Sequence, residues 1–193
     1  MICSLRNTAL AALCLSPFAA AGIEVIQPVH PVWLLEQPYA GNALLTARTF
    51  GDSAYGDYRV NATLQISCSQ TARLTLQIAP ASLGFDSDPL EGPDASASGP
   101  LEITTGTRPS VEHRVSGSWT AGGAFQVGNV FSISTDIPAP ELEYWLSDAS
   151  RGQPLKLSLA PAKTGGKPLT ATFSLPQDNQ GLKHACLGAR PGL

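Results

Sequence analysis

The stretch VNATLQISCSQTARLTLQI, residues 60–78, contains two runs in which apolar and polar residues alternate strictly. The first run has its apolar residues at every second position from Val60 to Cys68, and the second from Ala72 to Ile78. A period of two places such side chains on one face of a strand, and the polar Ser69-Gln70-Thr71 between the runs suits a turn. The stretch therefore predicts a hairpin with one buried face and one solvated face.

The same alternation returns along most of the chain, with Gly and Pro between the runs. This pattern favours a mainly β, single-domain antiparallel β-sandwich or barrel of about eight or nine strands. The proline-rich, apolar segment 25–39 is expected to pack as an extended edge segment. The further strand candidates are Leu44–Phe50, Leu101/Ile103, Val111/His113/Val115, Phe125/Val127, Phe131/Ile133, Leu155/Leu157/Leu159 and Leu169/Ala171/Phe173/Leu175.

One segment, about 139–150, changes to the helical period. Its apolar residues recur at i, i+3, i+4 and i+7 from Leu142, the preceding prolines suit a first turn, and Gly152 suits its end. We expect this one α-helix to pack on the sheet with Trp145 as its anchor. A short second turn is possible at 181–187. The acidic residues assigned to the solvated face of the helix are Glu141, Glu143 and Asp148.

Residues 1–21 have the pattern of a cleavable signal peptide. Arg6 precedes an apolar run, residues 8–20, that is shorter than the roughly 18 residues of a membrane span. Ala19-Ala20-Ala21 supplies the small residues needed for cleavage before Gly22. The mature chain, 22–193, is then expected to be a single β-rich domain in the periplasm, with no stable membrane anchor.

Removal of the leader decides how the four cysteines are interpreted. Cleavage removes Cys3 and Cys14 and leaves Cys68 and Cys186. In an oxidising compartment the remaining two are expected to form a disulfide. Cys68 ends a strand of the hairpin and Cys186 follows the last predicted strand, so this bridge would tie the C-terminal tail to the sheet.

Charge and motifs argue against several classes of protein. Residues 22–150 carry five arginines against fourteen acidic residues, whereas residues 151–193 carry six basic residues against one acid. A nucleic-acid-binding surface is strongly basic, so we expect no nucleic-acid partner. The sequence contains no Gly-x-Ser-x-Gly, His-Glu-x-x-His or Cys-x-x-Cys motif. We expect no enzymatic activity, cofactor or metal, and His113 is expected to be a satisfied core residue; a small hydrolase is an alternative.

Two places are candidates for binding a protein partner. The loop DSDPLEGPDASASG, residues 86–99, is acidic, has little to bury and lacks the spacing of a calcium loop. A solvated surface loop is the alternative there. The segment GDSAYGDY, residues 51–58, is expected to be a Gly/Asp-rich turn that offers Tyr55 and Tyr58 as exposed aromatic anchors. The acidic candidates are Asp86, Asp88, Glu91 and Asp94, and the further aromatic candidates are Trp33, Tyr39 and Trp119.

A family resemblance covers about residues 60–187. It rests on five motifs in order: LQISCSQTARLTLQI (64–78), ELEYWLSDASRG (141–152), PLKLSLAP (154–161), LTATFSLP (169–176) and GLKHACL (181–187). This order resembles that of the VasI/TagO-type periplasmic proteins associated with type VI secretion. Leu187 stands where that pattern would have Trp, and the acidic insertion 86–99 has no counterpart in it.

The plan is also similar to that of periplasmic immunity proteins, which are small, exported, disulfide-stapled and acidic. That resemblance implies a non-enzymatic binding protein that neutralises a periplasm-acting type VI effector by occluding its active site. Its partner would be a secreted effector toxin. The alternative is a VasI/TagO-like accessory protein of type VI secretion that binds the machinery or cell-wall components.

The leader and the bridge predict one mass-spectrometric result. Protein recovered from the periplasm should begin at about Gly22 and contain no free thiol, because Cys68 and Cys186 are paired. Intact mass under non-reducing conditions, with and without alkylation, measures both properties. A mature chain that takes up alkylating reagent before reduction would contradict the prediction.

Mutation of the acidic loop is expected to test partner binding without changing thermal stability. Reversing Asp86, Asp88, Glu91 and Asp94 to Lys should leave the melting temperature nearly unchanged, because the loop has little apolar surface to bury. Thermal unfolding and partner affinity are measured on the same variant. If affinity is also unaltered, the loop is solvated surface and not part of the binding site.

Overall fold

The structure, a computed structural model, describes residues 30–37, 45–78, 101–121, 128–161 and 165–187. It is mainly β, as predicted, and its strands form one antiparallel sheet. The sheet has ten strands, against the eight or nine expected. The strands are β1 (Leu34–Glu36), β2 (Thr46–Tyr55), β3 (Tyr58–Cys68), β4 (Ala72–Ile78), β5 (Leu101–Thr105), β6 (Val111–His113), β7 (Ser116–Ala121), β8 (Asn129–Ile137), β9 (Pro154–Leu159) and β10 (Leu169–Ser174).

The sheet curls into a half-barrel because its two edge strands are neighbours in sequence. The strand order is β6-β5-β9-β10-β2-β3-β4-β8-β7, with β1 pairing β2 beside this path. Every neighbouring pair is antiparallel, so the first and ninth strands run in the same direction. Only Arg114 and Val115 connect these two strands, and parallel strands lying side by side need a far longer connection. We conclude that β6 and β7 are two halves of one bent strand, residues 111–121.

The inner face of the curled sheet holds the core. In β3 and β4 the alternating residues Ala62 to Cys68 and Ala72 to Ile78 are buried, which confirms the predicted apolar face. The opposite face is less solvated than predicted, because Thr63 and Gln77 are also buried. There the Gln65 amide donates to Gln77 Oε1 at 2.7 Å. Cross-strand polar pairs of this kind satisfy side chains that water does not reach.

Two α-helices pack on the sheet, where the sequence predicted one helix and a short turn. The first, α1 (Ala139–Leu146), is followed by a 3-10 turn, Asp148–Ser150, so the predicted span 139–150 is confirmed. Trp145 is its anchor, 1% exposed, and its indole N–H donates to Thr105 Oγ1 at 3.0 Å. The assignment of Glu141 to the solvated face is wrong, because this carboxylate is buried. Glu143 and Asp148 are exposed.

The second helix, α2 (Gln180–Leu187), packs against the sheet, and the residue before it contacts the end of α1. The Asn179 side-chain amide donates to the carbonyls of Leu146 at 2.7 Å and Ser147 at 3.1 Å, which satisfies the carbonyl end of α1. The acidic and basic parts of the chain also meet here, where Arg151 and Lys183 lie 2.7 and 3.9 Å from Asp148.

The predicted disulfide between Cys68 and Cys186 is present and joins α2 to the end of β3. The two cysteines are 118 residues apart in sequence. Closing a loop of that size stabilises the fold by about 4–5 kcal/mol in the chain-entropy model. A disulfide is typical of proteins in an oxidising, extracytoplasmic environment.

Part of segment 25–39 lies in the described residues and is extended, as predicted. Its strand β1 pairs with the first residues of β2, and the Arg48 guanidinium lies 2.5 Å from Glu36 Oε2. Burial lowers the pKa of Arg48, and the charge of Glu36 opposes that shift. Trp33, just before β1, packs against Gly181 of α2.

Several predictions fall outside the described residues. They are the leader 1–21, the strand Phe125/Val127, Tyr39 and the whole acidic loop with Asp86, Asp88, Glu91 and Asp94. Within the described ranges, no helix has the length and apolar character needed to cross a membrane.

Gly51 in β2 lies at a position that has no room for a side chain. A Cβ there would lie 2.2 Å from the Thr172 carbonyl oxygen and 2.5 Å from Cδ1 of Phe173 in β10. Gly51→Ala should therefore destabilise the protein by about 1–3 kcal/mol, through a forced shift of β10. Urea denaturation measures the loss, with Thr172→Val on the exposed face of β10 as the control. Equal stability of both variants would contradict this account.

Candidate partner-binding site

The turn between β2 and β3 forms a tight hairpin tip. It consists of Gly56 and Asp57, and Gly56 has a φ of +60°, as two-residue hairpin turns require. The sequence placed the whole segment 51–58 in a Gly/Asp-rich turn. The structure corrects this, because residues 51–55 continue β2 and pair with β10. The tip is therefore the end of a long ribbon held by the sheet.

Tyr55 and Tyr58 face each other across this tip as a cross-strand pair. Tyr58 is exposed, with 55% of its surface accessible, which agrees with the expectation for it. Tyr55 is half-buried and packs against the core. Side chains opposite one another on antiparallel strands lie close together, so the half-buried Tyr55 is the cross-strand neighbour of the exposed Tyr58.

Lys167 crosses the hairpin tip from the loop that enters β10. A Cβ on Gly56 would lie 2.3 Å from Cδ of Lys167, so the lysine stem occupies the space that a side chain would take. The ammonium Nζ lies 5.8 Å from the ring centre of Tyr58, at the outer limit of a cation–π contact. Leu169 pairs with Tyr55 in the β10–β2 ladder, and this register brings the two hairpins together.

We define the hairpin-tip surface as Tyr55, Asp57, Tyr58, Arg59 and Lys167. It has an aromatic centre and a charged rim. Asp57, Arg59 and Lys167 are all exposed. Tyr and Arg are enriched in protein-binding hot spots, and the rim of an interface is polar. Sequence analysis found the tyrosines and missed Arg59 and Lys167. The Gly-Asp pair between two alternating runs was the available signal for the tip, whereas the approach of Lys167 depends on the β10–β2 pairing.

The other aromatic candidates occupy different positions. Trp33 is buried, which removes it from any free surface. Trp119 in β7 is 46% exposed and stacks edge-on against Phe131, with ring centres 5.5 Å apart. Tyr58 and Trp119 are thus the two aromatic side chains with large exposed area in the described ranges, and they lie on different strands of the sheet.

The described residues also contain a buried acid–base pair. Nε2 of His113 lies 3.1 Å from Oε2 of Glu141, and both residues are buried. His113 is in the core, as predicted, whereas its acidic partner was not foreseen. Their side chains are 5% and 10% exposed. In the same part of the chain, no group of three or more His, Cys, Asp or Glu side chains is arranged to hold a metal ion.

Comparison of the chain with known proteins gives no match. No protein-family model matches the chain, and no curated protein or solved structure matches it either.

Proposed function

We propose that the protein is an exported, non-enzymatic binding protein of the periplasm. In this proposal it is an immunity protein that occludes the active site of a periplasm-acting type VI effector. The observation that carries the proposal is the hairpin-tip surface, where exposed Tyr58 stands at the end of a ribbon fixed to the sheet.

The rigidity of the tip suits the insertion of a side chain into an enzyme cleft. Binding costs less when the contact residues are already ordered. The backbone of Tyr58 is held by its pairing with Tyr55 in the β2–β3 ladder, and the turn beside it is packed by Lys167. A tyrosine loses little conformational entropy for the contact area it provides.

The disulfide and the charge distribution agree with this role. A bridge between Cys68 and Cys186 is stable in an oxidising compartment such as the periplasm. The chain has a formal net charge of −3, and an acidic binder is steered toward a basic partner, which speeds their encounter.

Tyr58→Ala should weaken binding to the cognate effector by about tenfold or more, because truncating a central aromatic anchor removes most of its contact area. Tyr58→Phe should keep most of the affinity, since it retains the ring. The measurement is the dissociation constant for the toxin encoded by the neighbouring gene, with survival of cells that receive the toxin in the periplasm as a second readout.

Trp119→Ala is the matched control, because it truncates the other exposed aromatic residue on a different strand. If Trp119→Ala loses binding and Tyr58→Ala does not, the contact surface lies on β7 and the immunity role stands. Failure of the wild-type protein to protect against every adjacent toxin would overturn the immunity role. If deletion of the gene impairs secretion while sibling cells survive, the VasI/TagO-like accessory role is correct.

A further inference from the structure

The basic side chains of the described ranges differ in whether a carboxylate lies near them. Arg59 and Lys167, both on the hairpin-tip surface, form no ion pair within those ranges. Arg108, Arg114 and Lys156 also lack an acidic partner there, but they lie elsewhere in the fold. The basic residues that do lie within ion-pair distance of a carboxylate are Arg48, Arg73, Arg151 and Lys183.

The two unpaired positive charges of the tip flank the exposed Tyr58. The ammonium Nζ of Lys167 lies 5.8 Å from the ring centre of Tyr58 and would lie 2.9 Å from a Cβ on Gly56. Arg59 follows Tyr58 in β3, and successive residues of a strand point to opposite faces. The Tyr58 ring therefore has the lysine charge beside it and the arginine side chain on the other face of the ribbon.

The hairpin-tip surface is locally positive on a protein whose net charge is negative. Two basic side chains, Arg59 and Lys167, stand against one acidic side chain, Asp57, which gives the tip a formal charge of +1. The whole chain has a formal net charge of −3. Asp52, the preceding acid of the ribbon, lies opposite Asn61 on β3 and is outside the tip. The tip and the whole chain therefore favour partner groups of opposite sign.

The local charge of the tip decides which surface it can contact. A charge that is covered in a complex loses its hydration and needs an opposite charge from the partner. Like charges brought together across an interface oppose binding strongly, whereas the net charge of the chain acts earlier, during diffusion. The stem of Lys167 already packs over Gly56, so its amine is presented with less conformational entropy left to lose. A surface lined by carboxylates therefore suits contact with the tip.

On the basis of the immunity function proposed above, we propose that the hairpin-tip surface recognises an acidic cleft in the partner enzyme. Tyr58 enters the cleft, and carboxylates of the cleft pair with Arg59 and Lys167. An acidic cleft is typical of enzymes that use two carboxylates at the reacting bond, as glycoside hydrolases do. A cleft that binds phosphate groups through basic side chains would instead meet Arg59 and Lys167 as like charges.

Charge reversal at the tip tests this assignment. Arg59→Glu and Lys167→Glu should each weaken binding to the toxin encoded by the neighbouring gene by about tenfold or more, because each places a new carboxylate against those of the cleft. Asp57→Asn should leave the affinity unchanged or raise it, since it removes the negative charge of the tip. Isothermal titration calorimetry measures the dissociation constants, and melting temperatures equal to that of the wild type show that the variants are folded.

Two further variants separate the local charge from packing and from net charge. Lys167→Met keeps an unbranched stem over Gly56 and removes the charge, so it should lose less affinity than Lys167→Glu. Lys156→Glu makes the same change in net charge on β9, where Lys156 is exposed opposite Thr172 of β10. It should change the affinity by less than about twofold, because salt screens charges that lie away from the contact.

Binding of the wild-type protein distinguishes failure of this proposal from failure of the immunity role. If the wild type binds the toxin and both Glu variants bind equally well or more tightly, the cleft is not acidic and the proposal is overturned, while the immunity role stands. If the wild type binds no adjacent toxin, the immunity role fails and the acidic cleft fails with it. Replacing a cleft carboxylate of the toxin by Lys should restore the affinity of Arg59→Glu or Lys167→Glu, which supports the assignment.

Discussion

The two-residue connection between β6 and β7 is the constraint on which the rest of the structure depends. It joins strands at opposite edges of one sheet that run in the same direction, so a flat sheet is geometrically impossible. The sheet must curl until both edges reach Arg114 and Val115. Val115 is buried at that corner, and Thr135 holds the Arg114 backbone there. The curl then creates the enclosed inner face on which α1 and α2 pack.

This geometry separates the hairpin tip from the buried His113–Glu141 pair. The hairpin tip projects from the β2–β3 ribbon, in the middle of the strand order, whereas the His113–Glu141 pair lies beside the bent strand that brings its edges together. Tyr58 pairs with Tyr55 of β2, and Lys167, in the loop before β10, has its ammonium 5.8 Å from the Tyr58 ring centre.

Whether a residue of the site can be predicted from sequence depends on whether its neighbours in space are also its neighbours along the chain. Tyr55 and Tyr58 were recognised because they flank a Gly-Asp pair within one hairpin. Lys167 is more than a hundred residues away and reaches the tip through the β10–β2 register. Glu141 was assigned to the solvated face because the helical period and its charge favour exposure. Its burial depends on where His113 lies, and no local pattern contains that information.

The sequence by itself determined most of the strands, the first helix and the cysteine pair, because periodicity, turn residues and residue counts are local properties of the chain. It predicted no strand at β7 (Ser116–Ala121). Tertiary structure decided the rest. It placed β6 and β7 on opposite edges, made residues 180–187 a full helix against β1, β2 and β3, and buried Thr63 and Gln77 on the face expected to be wet. The physical reason is that strand order and closure are set by which apolar faces can be covered together, and that depends on contacts between distant segments.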